Sequence, residues 1–377
     1  MTYKFRVGLQ ARWVLAQGEN GADVDLQCVL ALLAAIDATG NIAGACKACA
    51  LSYRHAWGVL RKFETVFGTP LLITRRRQGT ELAPFAQRLL WANRRIEARL
   101  QPTLDSLASE LQEELDRFLP ENRPHLRLHA SHGFAVEALM QHMSDHAPGL
   151  ELRYRTAIEA LASLAGGECD LAGFQVPLGE FEGAIRQRYA QWLNPEQHVL
   201  IHLAVRNTGL FVTAGNPKHI EHISDLARDD VRFVNRQIGS STRHLVSLML
   251  EQAGLSTSQV QGYDSNEFTH MAIAAHIASG MADTGIGVET AAYRFGLGFI
   301  PLVRERYFFA IRREALGSPD MQALLAIMRS PAYTGYIATL VGYDSAQTGL
   351  VQTLAEAFGT EPPAARQSLS AGLSWQA

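Results

Sequence analysis

From residue 126 to residue 358 the sequence alternates short apolar runs with helical patterns, and that alternation narrows the folds open to this chain more than any other feature. Leu126–Ala130 predicts a strand and Phe134–Ala147 a helix. Leu150–Tyr154, Ile158–Gly166 and Asp170–Gln175 repeat the strand, helix, strand order. Further segments follow at Val199–Val205, Leu210–Thr213, Ile223–Ala227, Val231–Asn235, Thr242–Ala253, Phe268–Ser279, Gly285–Val288, Ala291–Phe295 and Phe299–Ile311. Pro319–Ser330 and Thr348–Phe358 read as closing helices, and 359–377 as a largely disordered tail. An alternation of this length implies an α/β unit with parallel sheets and helices on both faces. The proline-flanked run Pro120–Pro124 separates it from what precedes.

Ahead of that boundary the texture is helical. Asp23–Ala38 places Leu26, Val29, Leu30, Leu33 and Ile36 on one face. Gly40–Leu82 then reads as a short small-residue helix (Ile42–Ala48), a turn at Cys49–Leu51, and a longer helix from Tyr53 to Phe67 that Ser52 can cap. Ala43, Gly44 and Ala45 allow two helix backbones to approach closely. Leu51, Val59, Leu60 and Phe63 are expected beneath the second helix, with Tyr53, Arg54, Trp57, Arg61 and Lys62 outside. After Pro70, Leu71–Ile73 and Thr80–Leu82 predict two short strands around Arg75, Arg76 and Arg77, a basic wing. Such a pair is either an αα-hairpin in a core or a helix-turn-helix; the wing and exposed cations favour a major-groove reader with phosphate-binding flanks. Pro84–Leu119 carries an apolar stripe (Leu89, Leu90, Ile96, Leu100, Leu104, Leu107, Leu111, Leu115, Leu119), with Pro102 expected to kink or restart the helix. The stripe serves a two-fold dimer seam or packing on the chain's own domain.

Charge fits a nucleic-acid-binding module or, equally by counting, a solvated basic face. Leu26–Arg99 holds eleven Lys and Arg, among them Lys47, Arg54 and Arg61, against four acids. That gives +7 locally and leaves −10 on the rest of a chain whose net charge is −3. No run of eighteen apolar residues occurs, and the first residues lack a secretion-signal core, so a cytoplasmic protein with no membrane association is expected.

The run GNIAGACKACALSYRHAW, followed by FGTPLLITRRRQGTELAPFAQRLL, resembles the winged helix-turn-helix of LysR-type regulators. It is similar still more closely to that of the molybdate-responsive ModE regulators, whose recognition helix opens with a matching Leu-Ser-Tyr-x-x-Ala-Trp. The resemblance spans about residues 5–119. It implies duplex promoter DNA as a partner, read by Lys47, Ser52, Tyr53, Arg54, Trp57, Arg61, Arg75, Arg76 and Arg77, with a homodimer or homotetramer and RNA polymerase as further partners. ModE regulators carry small β-barrel oxyanion domains after the head, which this sequence does not.

Two loops in the second half are candidates to hold a ligand, with ordinary helix capping as the alternative for each. Val231–Arg243 ends a strand in Asn235 and Arg236, turns at Gly239, and starts a helix with Ser240, Ser241 and Thr242 beside Arg243. Helix-start N–H groups, hydroxyls and a guanidinium suit an anion, although plain capping gives the same residues. His129–Gly133, containing Ser131 and His132, again joins a strand end to a helix start, where open α/β sheets bind ligands. These runs, with Glu267–Ala272, Ala278–Ala292 and Gly342–Asp344, resemble type-2 periplasmic-binding-protein-like domains of the molybdate-binding-like kind over about residues 125–356. That implies two lobes, crossovers near Arg206–Gly209 and Ile300–Arg304, and a ligand between them. Ser131, His132, Asn235, Arg236, Gly239, Ser240, Ser241, Thr242 and Arg243 are the implied contacts, with Glu267, His270 and Asp283 lining the cleft.

The full expectation is an α/β protein with a winged helix-turn-helix (1–83), a dimerisation helix (84–120), a two-lobed effector domain (121–358) and a tail (359–377). Its function is a one-component transcription regulator sensing a small anion. A molybdenum- or tungsten-related oxyanion (molybdate, tungstate) comes first and formate or another small carboxylate second, with molybdoenzyme-related genes as targets. The alternative is a ligand-binding or molybdenum-cofactor-related protein without gene-regulatory activity. Cys46 and Cys49 have half-site spacing, but no second pair stands nearby, and no GxSxG, HExxH or P-loop occurs. No metal site, bound cofactor or catalytic residue is expected.

Overall fold

A computed structural model describes residues 7–16, 23–75, 79–118, 126–146 and 150–359. Two two-residue strands, β1 (Val14–Leu15) and β2 (Val24–Asp25), pair ahead of α1 (Gln27–Thr39). Gly40, at φ 67°, ends α1 in the left-handed conformation that a glycine tolerates without strain. Asn41 caps α2 (Ile42–Ala48) by accepting from Gly44 N, and Ser52 caps α3 (Tyr53–Phe67) by accepting from His55 N. β3 (Leu72–Arg75) and β4 (Gly79–Leu82) form the hairpin that follows. It is tied to the α1–α2 turn by Thr80 N donating to Gly40 O, and a Cβ on Gly79 would stand 2.8 Å from that same oxygen. Val29, Leu33, Ile36, Ala45, Leu60 and Phe63 form the core of this head.

α4 (Pro84–Phe118) runs as one element. The restart expected at Pro102 does not occur: one proline removes a single N–H from a 35-residue helix whose neighbouring turns hold it. Arg94 pairs with Asp37 at 3.0 Å and Trp13 Nε1 donates to Asn93 Oδ1, fixing the head to the first half of α4.

The remaining chain forms β5 (Leu126–Ala130), α5 (Phe134–His146), β6 (Leu150–Tyr154), α6 (Ala157–Gly166), β7 (Leu171–Pro177), α7 (Glu182–Tyr189) and β8 (His198–Val212). Then come β9 (Phe233–Arg236), α8 (Ser241–Gln252), β10 (Asn266–Glu267), α9 (His270–Ala278), β11 (Thr284–Val288), α10 (Glu289–Arg294) and β12 (Gly298–Arg312). α11 (Pro319–Met328), α12 (Pro331–Thr339), β13 (Tyr343–Asp344), β14 (Val351–Gln352) and α13 (Leu354–Phe358) close it. All but the two short pairs join one sheet, ordered β10-β9-β11-β8-β12-β7-β5-β6, with β13 and β14 on β8.

That sheet is mixed, not parallel as the alternation predicts. β5, β6 and β7 run parallel in one lobe, and β9, β10 and β11 in the other. The 15-residue strands β8 and β12 pair antiparallel with each other and pass through both lobes. Val199–Val205 and Leu210–Thr213, expected as separate segments, are therefore one strand. Where the chain crosses between lobes, a Cβ on Gly209 would sit 2.1 Å from Ile300 O, and the register slips between Pro301 and Val303. α7 and α12 carry no prominent apolar period and are additions to the sequence-based reading. Thr348–Phe358 holds a short strand and a short helix in place of one helix. Among the described residues no helix is long and apolar enough to cross a membrane.

Candidate effector cleft

The crossing strands place a buried ion pair where the lobes meet. Arg206 on β8 faces Glu305 on β12, each 2% exposed at the side chain. Arg206 Nε and Nη2 both donate to Glu305 Oε2 at 3.2 Å, and Thr208 Oγ1 donates to the same oxygen at 2.8 Å. Burial alone pushes the Arg206 pKa down; Glu305, Tyr343 and Tyr307 outweigh it, and the net shift is upward. The guanidinium also lies over the Tyr307 ring, 5.2 Å from its centroid. Ser131 Oγ is 3.4 Å from Tyr307 OH, which joins the first loop to this centre.

Arg236, at the carboxyl end of β9, is the second buried guanidinium, 4% exposed. It forms no ion pair among the described residues. Nη2 donates to Phe268 O at 2.8 Å, Nη1 lies 3.0 Å from His270 Nε2, and Nε has no partner. Arginine can only donate, so His270 Nε2 accepts, which assigns the ring proton to Nδ1. Burial first, and Arg206 second, hold the Arg236 pKa down at about 10. The same two influences, burial and then neighbouring Arg236, depress His270, and they lower His132 to about 3. Both rings are therefore neutral at pH 7, and of the two buried guanidinium groups only Arg206 has a carboxylate partner among the described residues, the buried Glu267 being held by Arg99.

At the start of α8 the lobes touch. Gln175 Nε2 on β7 donates to Ser241 Oγ, and Thr156 stands within 3.6 Å of where a Gly239 Cβ would lie. Gly239 has φ 86° and needs to remain glycine. Ser240, Ser241 and Thr242 are 6%, 8% and 0% exposed, and Thr242 Oγ1 and Gln175 Oε1 have no partner among the described residues. Ser240 makes no side-chain cap.

Other expected contacts are committed elsewhere. Asn235 bonds Tyr263 O and Arg236 N. Arg243 bonds Arg236 O and Asp264 and lies over Tyr263, so it adds no unpaired charge. Asp283 does not reach the cleft: it precedes β11 and pairs with Arg232 and Lys218, at the opposite end of the parallel strands from Arg236. Glu267 faces α4, accepting from Arg99 Nε at 2.8 Å while His276 Nδ1 stands 3.0 Å away. His132 stacks on Tyr154, centroids 3.4 Å apart. Gln175, Arg206, Thr208, Glu305 and Tyr307 are absent from the sequence-based site; the predicted crossovers pointed to Arg206, but nothing local links it to a carboxylate 99 positions away.

α4 bridges the cleft mouth. Arg99 holds Glu267 and Trp91 meets Phe295 in the lobe of β9 to β11, while Ser109 Oγ donates to Leu152 O in the other. In the head, Lys47, Arg54, Arg61 and Lys62 are exposed and Tyr53 is 56% exposed. Trp57, expected outside, is half-buried against the core, with Tyr53 edge-on at 6.4 Å and Arg61 over its ring. Arg76 and Arg77 lie outside the described residues, and only the backbone of Arg75 is described.

Residues 137–329 match the PBP superfamily domain. A Bacillus subtilis protein, YvgK, is 29% identical over 248 residues, 65% of this chain and 79% of its own length. A Clostridium pasteurianum protein from the 5′ region of a 2Fe-2S ferredoxin gene is 34% identical over 101 residues, 26% of this chain and 89% of its own. Among solved structures, the regulatory domain of MetR, a LysR family regulator from N. meningitidis, covers 58% of this chain and 98% of its own at 14% identity and TM-score 0.43.

Proposed function

The chain belongs to the PBP superfamily, and from that premise we propose that it is a DNA-binding transcription regulator whose two-lobed domain senses an anion. The observation that carries the reading is Arg236, a guanidinium 4% exposed with no carboxylate partner among the described residues and an unpaired Nε. A buried unpaired charge is costly, and an anion between the lobes removes that cost. Thr242 Oγ1 at the start of α8 adds a further buried group able to donate. The geometry asks for negative charge at this point. By resemblance alone, before the cavity is considered, a molybdenum or tungsten oxyanion ranks first and formate or another small carboxylate second.

The head reads duplex DNA with Arg54 and Arg61 on α3 and Lys47 on α2, the Arg75–Arg77 wing touching backbone. In this reading residues 1–83 are the head, 84–120 the connecting helix and 121–358 the sensor. α4 also supplies the dimer seam, since Leu100, Leu107, Leu111 and Phe118 are exposed along it at heptad-like spacing. Lobe movement reaches the heads through α4, which touches both lobes. No catalytic step is assigned. The test is calorimetry with molybdate, tungstate, formate and sulfate on wild type and Arg236→Lys, alongside mobility shifts with promoter DNA at several salt concentrations. Anion binding weakened at least tenfold by the substitution supports the sensor. DNA binding without salt dependence sinks the head assignment.

A further inference from the structure

Where α4 crosses the cleft mouth it roofs a cavity of roughly 1220 Å³, with His132, Gly133, Thr269 and His270 on its floor. At the hinge itself, between Gly133, Arg206, Tyr307 and Tyr343, the space is only about 10 Å³. A tetrahedral oxyanion needs on the order of 100 Å³, scaling from about 30 Å³ for one water. Pockets for drug-sized organic molecules run to about 300–1,000 Å³. The volume beside His270, behind which Arg236 lies, therefore suits a larger ligand.

The walls point the same way. Phe134, Leu152, Met271 and Phe295 give the cavity apolar surface, and the His132–Tyr154 stack, with rings 12° from parallel, gives it a flat side. Neither does anything for a bare oxyanion. Glu97 and Asp105 on α4 line it beside Arg94 and Arg294, Asp105 already accepting from Gln101 Nε2, while burial raises the Glu137 carboxyl on α5 to about 7. Carboxylates repel an anion placed among them but accept bonds from N–H or amino groups. The His270 end, backed by Arg236 at 3.0 Å, favours negative charge.

Resting on the anion reading of Arg236, we propose that the effector is a flat organic anion carrying N–H or amino donors, its charged group at His270, behind which Arg236 stands, and its body beneath α4. Its body then touches Gln101 and Glu97, so the helix that joins the heads contacts the ligand directly. The site is completed by α4 and does not belong to the two lobes alone.

The experiment is calorimetry on the full chain with formate, molybdate, 4-aminobenzoate and guanosine 5′-monophosphate, using wild type, Gln101→Trp and Gln101→Asn. Gln101 is exposed on α4, so an indole there fills the cavity without entering a core. At least one of the two larger anions should bind ten times more tightly than formate and molybdate. Gln101→Trp should weaken that ligand at least tenfold and leave the small anions unchanged, while Gln101→Asn, which leaves the space open, should weaken it far less than Gln101→Trp does. If formate or molybdate binds and neither larger anion does, or if Gln101→Trp leaves the larger ligand's affinity unchanged, the cavity proposal is overturned and the anion reading stands. If no anion of either size binds, the anion reading falls and takes this proposal with it.

Discussion

Removing the Glu305 carboxylate tests whether the hinge is dry. In Glu305→Ala the Arg206 guanidinium, 2% exposed, loses two 3.2 Å bonds, and Thr208 loses the acceptor of its 2.8 Å bond. Breaking a buried pair by deleting one partner costs about 3–5 kcal/mol, because the remaining charge has nowhere to go. For a domain of this size about 1 kcal/mol moves Tm by about 2–4 °C, so the variant should melt roughly 6–20 °C lower. Urea titration followed by tryptophan fluorescence reads the free energy, and calorimetry reads Tm. The double variant Arg206→Met/Glu305→Leu removes both charges and should recover most of the loss, since apolar replacement of a whole buried pair is commonly neutral or stabilising by about 1–4 kcal/mol. A loss below about 1 kcal/mol in Glu305→Ala would show that water or another group reaches Arg206, and the reasoning about a desolvated hinge would fail.

Arg99→Ala, which frees Glu267 from α4, should leave anion affinity within about twofold but reduce the effect of ligand on DNA binding; unchanged ligand-dependent mobility shifts would refute the bridge. Leu100→Glu with Leu107→Glu places like charges across a two-fold seam and should yield monomers in ultracentrifugation; an undiminished dimer would move the interface elsewhere. Arg54→Ala should relax base preference at one position by about 1–3 kcal/mol without changing the salt slope, measured by competition shifts. His129 and His202 are 3% and 1% exposed with no ring nitrogen bonded, and burial lowers each to about 4. The unfolded chain then binds more protons than the folded one between pH 6.5 and 4. Stability present above 6.5 should therefore fall on acidification through that window, by about 1.4 kcal/mol per pH unit for each ring. His202→Phe, beside Phe308, should flatten the urea midpoint against pH; an unaltered slope would remove His202 from the explanation.

The head was legible because its determinants are local. Asn41 and Ser52 cap the helices they precede, Gly40 ends α1, and the apolar positions of α1 and α3 recur at helical spacing. Local capping and periodicity need no knowledge of distant residues. The strand ends carrying Arg236 and Ser131 were legible for the same reason. The parallel lobes followed from the alternation, but the long antiparallel crossing of β8 and β12 did not. A strand shared by two lobes reads like two short strands when only its own residues are seen. The site divides along the same line. The sequence by itself determined which groups could bind an anion, since helix starts and guanidinium groups announce themselves. Only the tertiary structure decided which of them remain uncommitted. Arg243 found Asp264, Asp283 found Arg232, and Glu267 found Arg99, whereas Arg236 was buried with no carboxylate partner among the described residues. Pairing and burial depend on residues tens to hundreds of positions away, and no local pattern encodes that distance.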